Sequence, residues 1–371
     1  LACPADTLDA VCITRCFCQR VKETTGEQIG EFIRNQKGAE MISRHERVEE
    51  AHAKIVPPFT LDETLTFFCP QENVEALDHP QVRELHQHLL TEYGPPVRGE
   101  KAAMLMLPCT KTKPYSLSAE HQAINSYLLS QGFQPLVTAD YPSDLEAALP
   151  AGADSRLLNN RIWARGELLL HRFVLSEPMA LVPYELIYEF KGNPSPAARY
   201  DDPGLFEHRG TSVCPWRSDF SGKKSSRGYR WGDNEKAAFV EMHNRMVELI
   251  TAMLSRFGDA YAARLAYVSP KLTHRSFMTS VEEKRRAGLS LGRRTGQGLL
   301  RLEGVNDARP GWVRCIPDEG EIEKILQRLA ERMPGRTPRQ IKGTFATGGK
   351  GITPLVLAET LQVLGRHLDN L

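Results

Sequence analysis

The sequence predicts an α/β protein with a central parallel or mixed sheet flanked by helices. Three observations carry that prediction. Residues 102–107, Ala-Ala-Met-Leu-Met-Leu, are a short continuous apolar run, the pattern of a strand buried on both faces. A loop, a helical stretch over 119–131 and a further strand expected over 133–138 follow, so strand, loop, helix and strand alternate. Residues 234–257 then place Ala237, Phe239, Val240, Met246, Val247, Ile250 and Leu254 on one broad face, as in an amphipathic helix.

Three regions follow in order. Residues 1–98 open with Cys3, Cys12, Cys16 and Cys18 and continue with a helical pattern through Ile29, Phe32, Ile33, Met41, Ile42 and Val48. Pro57-Pro58 breaks the chain, residues 64–68 suit a short strand, and residues 82–93 suit a helix ended by Gly94-Pro95-Pro96. Residues 99–260 form the expected main α/β domain, with further strands over 168–174 and ending near 183. Residues 193–232 are rich in Gly, Pro, Ser and Arg, lack periodicity and are too long for an ordinary connection. Residues 261–371 are expected to be basic and mainly helical, with helices over 319–333 and 354–368.

Composition narrows the class. Of 371 residues, 41% are hydrophobic and 25% charged, close to a soluble globular average. No uninterrupted apolar run reaches the roughly 18–20 residues of a membrane span. The first residues show no basic-then-apolar leader pattern, so the expectation is a cytoplasmic protein without membrane contact. A net charge of +1, from 47 basic and 46 acidic side chains, excludes a basic protein in bulk but not a local basic surface.

The densest chemistry lies just after the 102–107 run. Residues 108–121 hold Cys109, Lys111, Lys113, Tyr115, Ser116, Ser118, Glu120 and His121. This is the carboxyl end of a strand, where open α/β sheets place their ligands. A thiolate attacks electrophilic carbon, and a neighbouring ammonium such as Lys111 or Lys113 lowers a thiol pKa. His121, in the first turn of the next helix, is placed for acid–base work. The plainer reading is a structural loop in which Ser118 caps the helix and Cys109 is inert core.

The order Pro108, Cys109, Lys113, Pro114, Tyr115, Ser118, His121 resembles the core signature of the archaeosine synthase family. A second stretch, residues 176–186 with Val182-Pro183-Tyr184-Glu185-Leu186, followed by Tyr200-Asp201, is similar to a second segment of that family. The resemblance covers about residues 100–205. It implies action on 7-cyano-7-deazaguanine already inserted in a nucleic acid. In tRNA that nitrile becomes an amidine; a bacterial relative in the 7-deazaguanine DNA-modification system hydrates it to an amide in DNA. Hydration in DNA is the leading expectation, and amidine formation on tRNA is the alternative. Cys109 is then expected to form a thioimidate, with Lys113, His121 and Ser118 as its catalytic company; direct water addition, with Cys109 only structural, stays open. Glu185 or Asp201 is expected to read the two donors on the guanine-like edge, and Tyr115 to stack on the base. By analogy the family's core domain is uracil-DNA-glycosylase-like.

The N-terminal thiols suit tetrahedral zinc. Cys16 and Cys18 with His45 partly resemble the zinc tail of tRNA-guanine transglycosylases, although Val21 stands where a third Cys belongs. Cys12 is the expected substitute, and Cys3 competes with His45 for the fourth place. Structural zinc is the one cofactor expected, with no organic cofactor. Arg217, Lys223, Lys224 and Arg227, interleaved with Trp216, Phe220, Tyr229 and Trp231, suit phosphate contact and base stacking. Arg293 and Arg294 lie in a second basic stretch, residues 271–314, with ten basic and four acidic side chains. DNA is the expected partner ahead of tRNA, with other proteins of the same modification system. A non-enzymatic, zinc-containing nucleic-acid-binding module is the competing class.

Overall fold

The computed structural model describes residues 43–371 apart from 139–140, 203, 205–209, 227, 271 and 350–352. Its strands are β1 (Gly99–Pro108), β2 (Gln134–Pro135), β3 (Trp163–Arg165), β4 (Leu168–Ser176), β5 (Ala180–Pro183), β6 (Glu189–Phe190), β7 (Asn193–Pro194), β8 (Lys223–Ser225), β9 (Gly228–Arg230), β10 (Tyr261–Tyr267), β11 (Gly292–Thr295), β12 (Gly298–Arg301) and β13 (Arg314–Ile316). The helices are α1 (Arg44–His52), α2 (Pro70–Ala76), α3 (Pro80–Thr91), α4 (Ala119–Ser130), α5 (Asp233–Phe257), α6 (Thr273–Met278), α7 (Val281–Arg286), α8 (Val305–Ala308), α9 (Glu319–Arg332), α10 (Pro338–Ala346) and α11 (Ala358–Asp369). None of the helices is long and apolar enough to cross a membrane, among the described residues.

Seven strands form a central mixed sheet in the order β13-β10-β1-β4-β3-β2, with β5 also paired to β4. Strands β13, β10, β1 and β4 run parallel; β3 and β5 are antiparallel to β4. The apolar run that marks β1 follows from its place: parallel neighbours pair with it on both sides, and it is buried from Ala102 to Pro108. The chain leaves β1 toward β4 and returns past it to β10 and β13, so the topology reverses at β1.

Strand alternation places helices on opposite faces of the sheet. His171 and Phe173 of β4 point to one face, where Phe173 stacks on Phe257 of α5 at 5.9 Å. Arg172 points to the other face and donates to Asn125 Oδ1 of α4 at 2.8 Å. Its guanidinium is fully buried between the rings of Trp163 and Tyr184, 4.1 and 4.2 Å from their centres, and donates also to the carbonyls of Asn159 and Arg161. Burial lowers its pKa to about 10, so it stays charged at neutral pH.

Three sequence expectations are corrected here. Residues 64–68 are not a strand: Thr64 and Leu65 belong to a short 3₁₀ turn, Glu63–Leu65, which Asp62 caps through the Thr64 N–H, and Thr66 makes only an isolated bridge to Asp201. The strand expected over 133–138 is only the two-residue strand β2. The boundary expected at 260/261 falls inside one core: β10 and β13 complete the central sheet, and a single buried cluster runs from Val48 through Leu105 and Phe239 to Leu368. A smaller cluster, Ile325, Leu329, Ile341, Phe345, Leu357 and Val363, joins α9, α10 and α11.

Burial lowers the pKa values of three histidines: His86 to about 4, His121 to about 4 and His243 to about 3. Each is neutral at pH 7. A folded pKa below the unfolded value of about 6.5 contributes stability that is present above that pH and lost as pH falls through the folded value. The unfolding free energy read from urea melts is therefore expected to fall between about pH 6.5 and pH 4, by roughly 3 kcal/mol for each histidine. His243→Gln is expected to flatten part of that slope in denaturant melts at several pH values; an equal slope in the variant would contradict it.

Candidate active site

Three adjacent parallel strands, β10, β1 and β4, end side by side. Pro108 of β1 is in register with Leu175 of β4, and Met106 with Ala266 of β10. The residues just past those ends converge. Cys109 follows β1, with its N–H donating to Leu175 O at 2.8 Å. Glu177 follows β4. His274 lies in α6, beyond the end of β10. Cys109 Sγ stands 3.4 Å from His274 Nε2 and 3.6 Å from Glu177 Oε2; His274 Nε2 stands 3.5 Å from the same carboxylate oxygen. Glu177 and His274 are buried, while Cys109 is partly exposed. A carboxyl-end position beside the topological reversal is where open α/β sheets hold ligands.

The charges follow from the packing. Burial alone would lower the His274 imidazole, but Glu177 first and Cys109 second outweigh it and hold its pKa well above the ordinary value. His274 is thus an imidazolium at neutral pH. Burial pushes the Cys109 thiol up to about 11; His274 pulls it down and Glu177 pushes it up by less. The expected ammonium-depressed thiol is not what the geometry provides. At rest Cys109 keeps its proton and donates it toward Glu177 Oε2, while His274 Nε2–H faces the sulfur. Thiol, carboxylate and imidazole also form a donor set that a transition metal accepts, with all three ligand atoms within 4.8 Å of one another.

The residues singled out in the sequence divide around this centre. Lys113 is fully buried; its ammonium donates to Thr110 O, lies 3.8 Å from Asp202 Oδ2 and sits 4.3 Å from the centre of the Tyr200 ring. It shapes the 109–113 loop rather than depressing the thiol. Tyr115 is fully buried, and its hydroxyl donates to Ser176 Oγ at 3.0 Å and meets Tyr200 OH at 3.0 Å. Its ring lies against His121 at 5.9 Å, so it offers no free face for an incoming base. Ser118 accepts the His121 N–H as helix cap at 3.1 Å.

His121 has a positioning role. Its Nε2–H donates to Pro108 O at 2.8 Å, since a carbonyl can only accept, and Nδ1 then accepts from Tyr184 OH at 2.9 Å. Both ring nitrogens are used, the ring is fully buried, and the imidazole is neutral at pH 7. It anchors the carbonyl next to Cys109. His121→Phe is expected to lower stability by about 1–3 kcal/mol, because two buried partners lose their bonds. It is also expected to leave the alkaline side of the pH–rate profile in place; thermal melts and the profile together check this.

Glu185 lies outside the cleft. Strand β5 runs antiparallel to β4 and carries the chain back from the carboxyl end, to the level of His171. There Glu185 accepts from Tyr93 OH at 2.6 Å and pairs with His171 Nε2 at 2.7 Å, so both its oxygens are taken. Burial would raise its pKa, but the His171 charge and the hydrogen bonds outweigh it and lower the value. Asp201 pairs with Lys54 through Oδ2 and bridges Thr66 through its backbone, while its Oδ1 is buried without a hydrogen-bond partner. Its neighbour Asp202 is the acid whose charge reaches Cys109, Tyr115 and Tyr200.

Arg217 pairs with Glu75 at 2.6 Å and Asp219 at 2.8 Å, which removes it from the free basic surface. Lys223 and Lys224 are exposed on the β8–β9 hairpin, and Arg294 is exposed on β11. Arg293 packs over the Phe239 ring at 4.6 Å. Arg227 and the expected zinc ligands Cys3, Cys12, Cys16 and Cys18 lie outside the described residues; His45 is exposed on α1.

The sequence reading missed Glu177 and His274. Glu177 had a legible signal, since it follows an apolar strand just as Cys109 does. The chain matches no family model, no curated protein and no solved structure.

Proposed function

We propose that this chain hydrates the nitrile of 7-cyano-7-deazaguanine already inserted in DNA and releases the carboxamide, with Cys109 as nucleophile, Glu177 as base and His274 as acid. One observation carries the reading: a thiol, a carboxylate and an imidazolium meet within 3.4–3.6 Å at the ends of three neighbouring parallel strands. The motif around Cys109 supplies the substrate, through its resemblance to the archaeosine synthase family.

The steps balance without an external reagent other than water. Glu177 takes the thiol proton as sulfur bonds to the nitrile carbon, and His274 gives its Nε2 proton to the nitrile nitrogen; the product is a neutral thioimidate. Water then adds to that carbon. His274 takes one water proton, and protonated Glu177 gives its proton to nitrogen. The tetrahedral adduct now carries hydroxyl, amino and sulfur. Its carbon–sulfur bond breaks as the hydroxyl proton passes through Glu177 to sulfur, leaving the carboxamide, a thiol, a carboxylate and an imidazolium. A partly exposed thiol at the strand ends is the atom that a base turned out of the duplex would have to reach. Exposed Lys223, Lys224 and Arg294 are the proposed phosphate contacts; removing any one of them is expected to lower the salt dependence of DNA binding by about one unit of slope.

Rapid acid quench of protein with substrate duplex, followed by intact mass analysis, tests the covalent route. The expected result is a protein–DNA adduct on the peptide containing Cys109, absent from Cys109→Ser. Turnover by Cys109→Ser at the wild-type rate would overturn it.

A further inference from the structure

A pair of thiols lies outside the site already described. Cys69 occupies the N-cap position of α2 without a side-chain hydrogen bond there, Glu72 stands in its first turn and accepts the Phe68 N–H at 2.7 Å, and Cys214 comes from the 210–222 loop. Their two sulfurs and a Glu72 oxygen all lie within 4.8 Å of one another. Both cysteines are buried at 1% exposure, and the Glu72 side chain keeps 12%. Two cations back the cluster. Arg44 pairs with Glu72 at 3.1 Å, and the charge of half-buried Arg47 acts on Cys214, Glu72 and Cys69 together.

We infer that Cys69, Cys214 and Glu72 bind one tetrahedral divalent ion of the zinc class, with the fourth position open to solvent on the Glu72 side. Soft thiolates with one carboxylate are a zinc-type donor set. With bonds of about 2.3 Å to sulfur and 2.0–2.2 Å to oxygen, tetrahedral ligands stand roughly 3.5–3.8 Å apart. Side-chain adjustment of about an ångström closes the present cluster to that size. Charge also closes: two thiolates and a carboxylate around a divalent ion leave one net negative charge, next to Arg47 and Arg44.

The ion has a structural task. Arg47 already donates to Val213 O at 2.9 Å and to Phe68 O at 3.3 Å, and Trp231 donates to Ser212 O at 3.1 Å. A metal joining Cys69 to Cys214 ties the basic, aromatic 210–231 loop to α1 and α2, and so holds Lys223 and Lys224 in place. This inference does not depend on the reaction proposed at Cys109.

Metal content of the full chain, purified without chelator and measured by inductively coupled plasma mass spectrometry, tests it. Cys69→Ser and Cys214→Ser are each expected to lose one equivalent of zinc relative to wild type, and Cys109→Ala to lose none. Should the serine variants fail to fold, Glu72→Gln gives the readout: its cobalt(II)-loaded form is expected to keep thiolate-to-cobalt absorption, with altered ligand-field bands and faster loss to chelator. Equal zinc in wild type and Cys214→Ser overturns the inference. So does zinc lost only with Cys109→Ala or with Cys16→Ser, a Cys69–Cys214 disulfide in protein whose metal content is unchanged, or a cobalt spectrum unaltered by Glu72→Gln.

Discussion

Cys109→Ala is expected to lower kcat by roughly 10³-fold or more while leaving affinity for substrate DNA within about two-fold. The reason is where Cys109 sits. It follows a strand buried between two parallel neighbours, and its N–H is pinned to Leu175 O. Removing Sγ deletes the atom proposed to bond the nitrile carbon without disturbing the strand end, which His121 anchors separately through Pro108 O. A residual rate near wild type would mean that water adds directly to the nitrile. Cys109→Ser is a sharper form of the test, because an alkoxide is harder to form than a thiolate beside the same carboxylate.

The second large effect belongs to the His274–Glu177 pair. His274→Gln is expected to lower kcat by about 10²–10⁴-fold, the range for a positioned acid. The pH dependence separates this role from a structural one. As the proposed acid, His274 must carry a proton to donate, and its pKa is held well above the ordinary imidazole value because Glu177 and Cys109 outweigh burial. Wild-type activity should therefore persist well above pH 6.5 and fall only as His274 deprotonates. Glu177→Gln removes the strongest support for that proton and leaves burial dominant. The alkaline limb should move to lower pH in whatever activity remains, together with a lower kcat. Stability carries the same sign: a folded pKa above about 6.5 contributes stability that is complete below that pH and lost as pH rises through the folded value. An alkaline limb unchanged by Glu177→Gln would contradict the pairing.

The legible part of the fold was its local part. Strand β1, helix α4 and helix α5 each carry a pattern complete within their own residues: a continuous apolar run, a capped first turn and a 3.6-residue stripe. Strand β10 was not read, because Tyr261–Tyr267 mixes alanines with Arg264 and its burial comes from β1 and β13 on either side. Missing β10 hid His274, which has meaning only beside the end of that strand. Glu185 shows the converse failure. Its sequence neighbourhood resembled a site segment, yet the turn into β5 reverses the chain and delivers it to His171. The expectations of a catalytic amine at Lys113 and a stacking ring at Tyr115 rest on side-chain type and on the resemblance. The full burial of both residues in a hydrogen-bonded loop follows from contacts with Tyr200, Ser176 and Asp202, residues far along the chain. Long-range pairing, which no local window contains, decided each of these outcomes.

The most direct measurement is incubation of the purified chain with a DNA duplex containing 7-cyano-7-deazaguanine, followed by nucleoside mass spectrometry. The expected result is a gain of one water, about 18 mass units from the hydration stoichiometry, that disappears with Cys109→Ala and with His274→Gln. An unchanged nucleoside in wild type, or conversion of the same base in tRNA alone, would contradict nitrile hydration in DNA at Cys109.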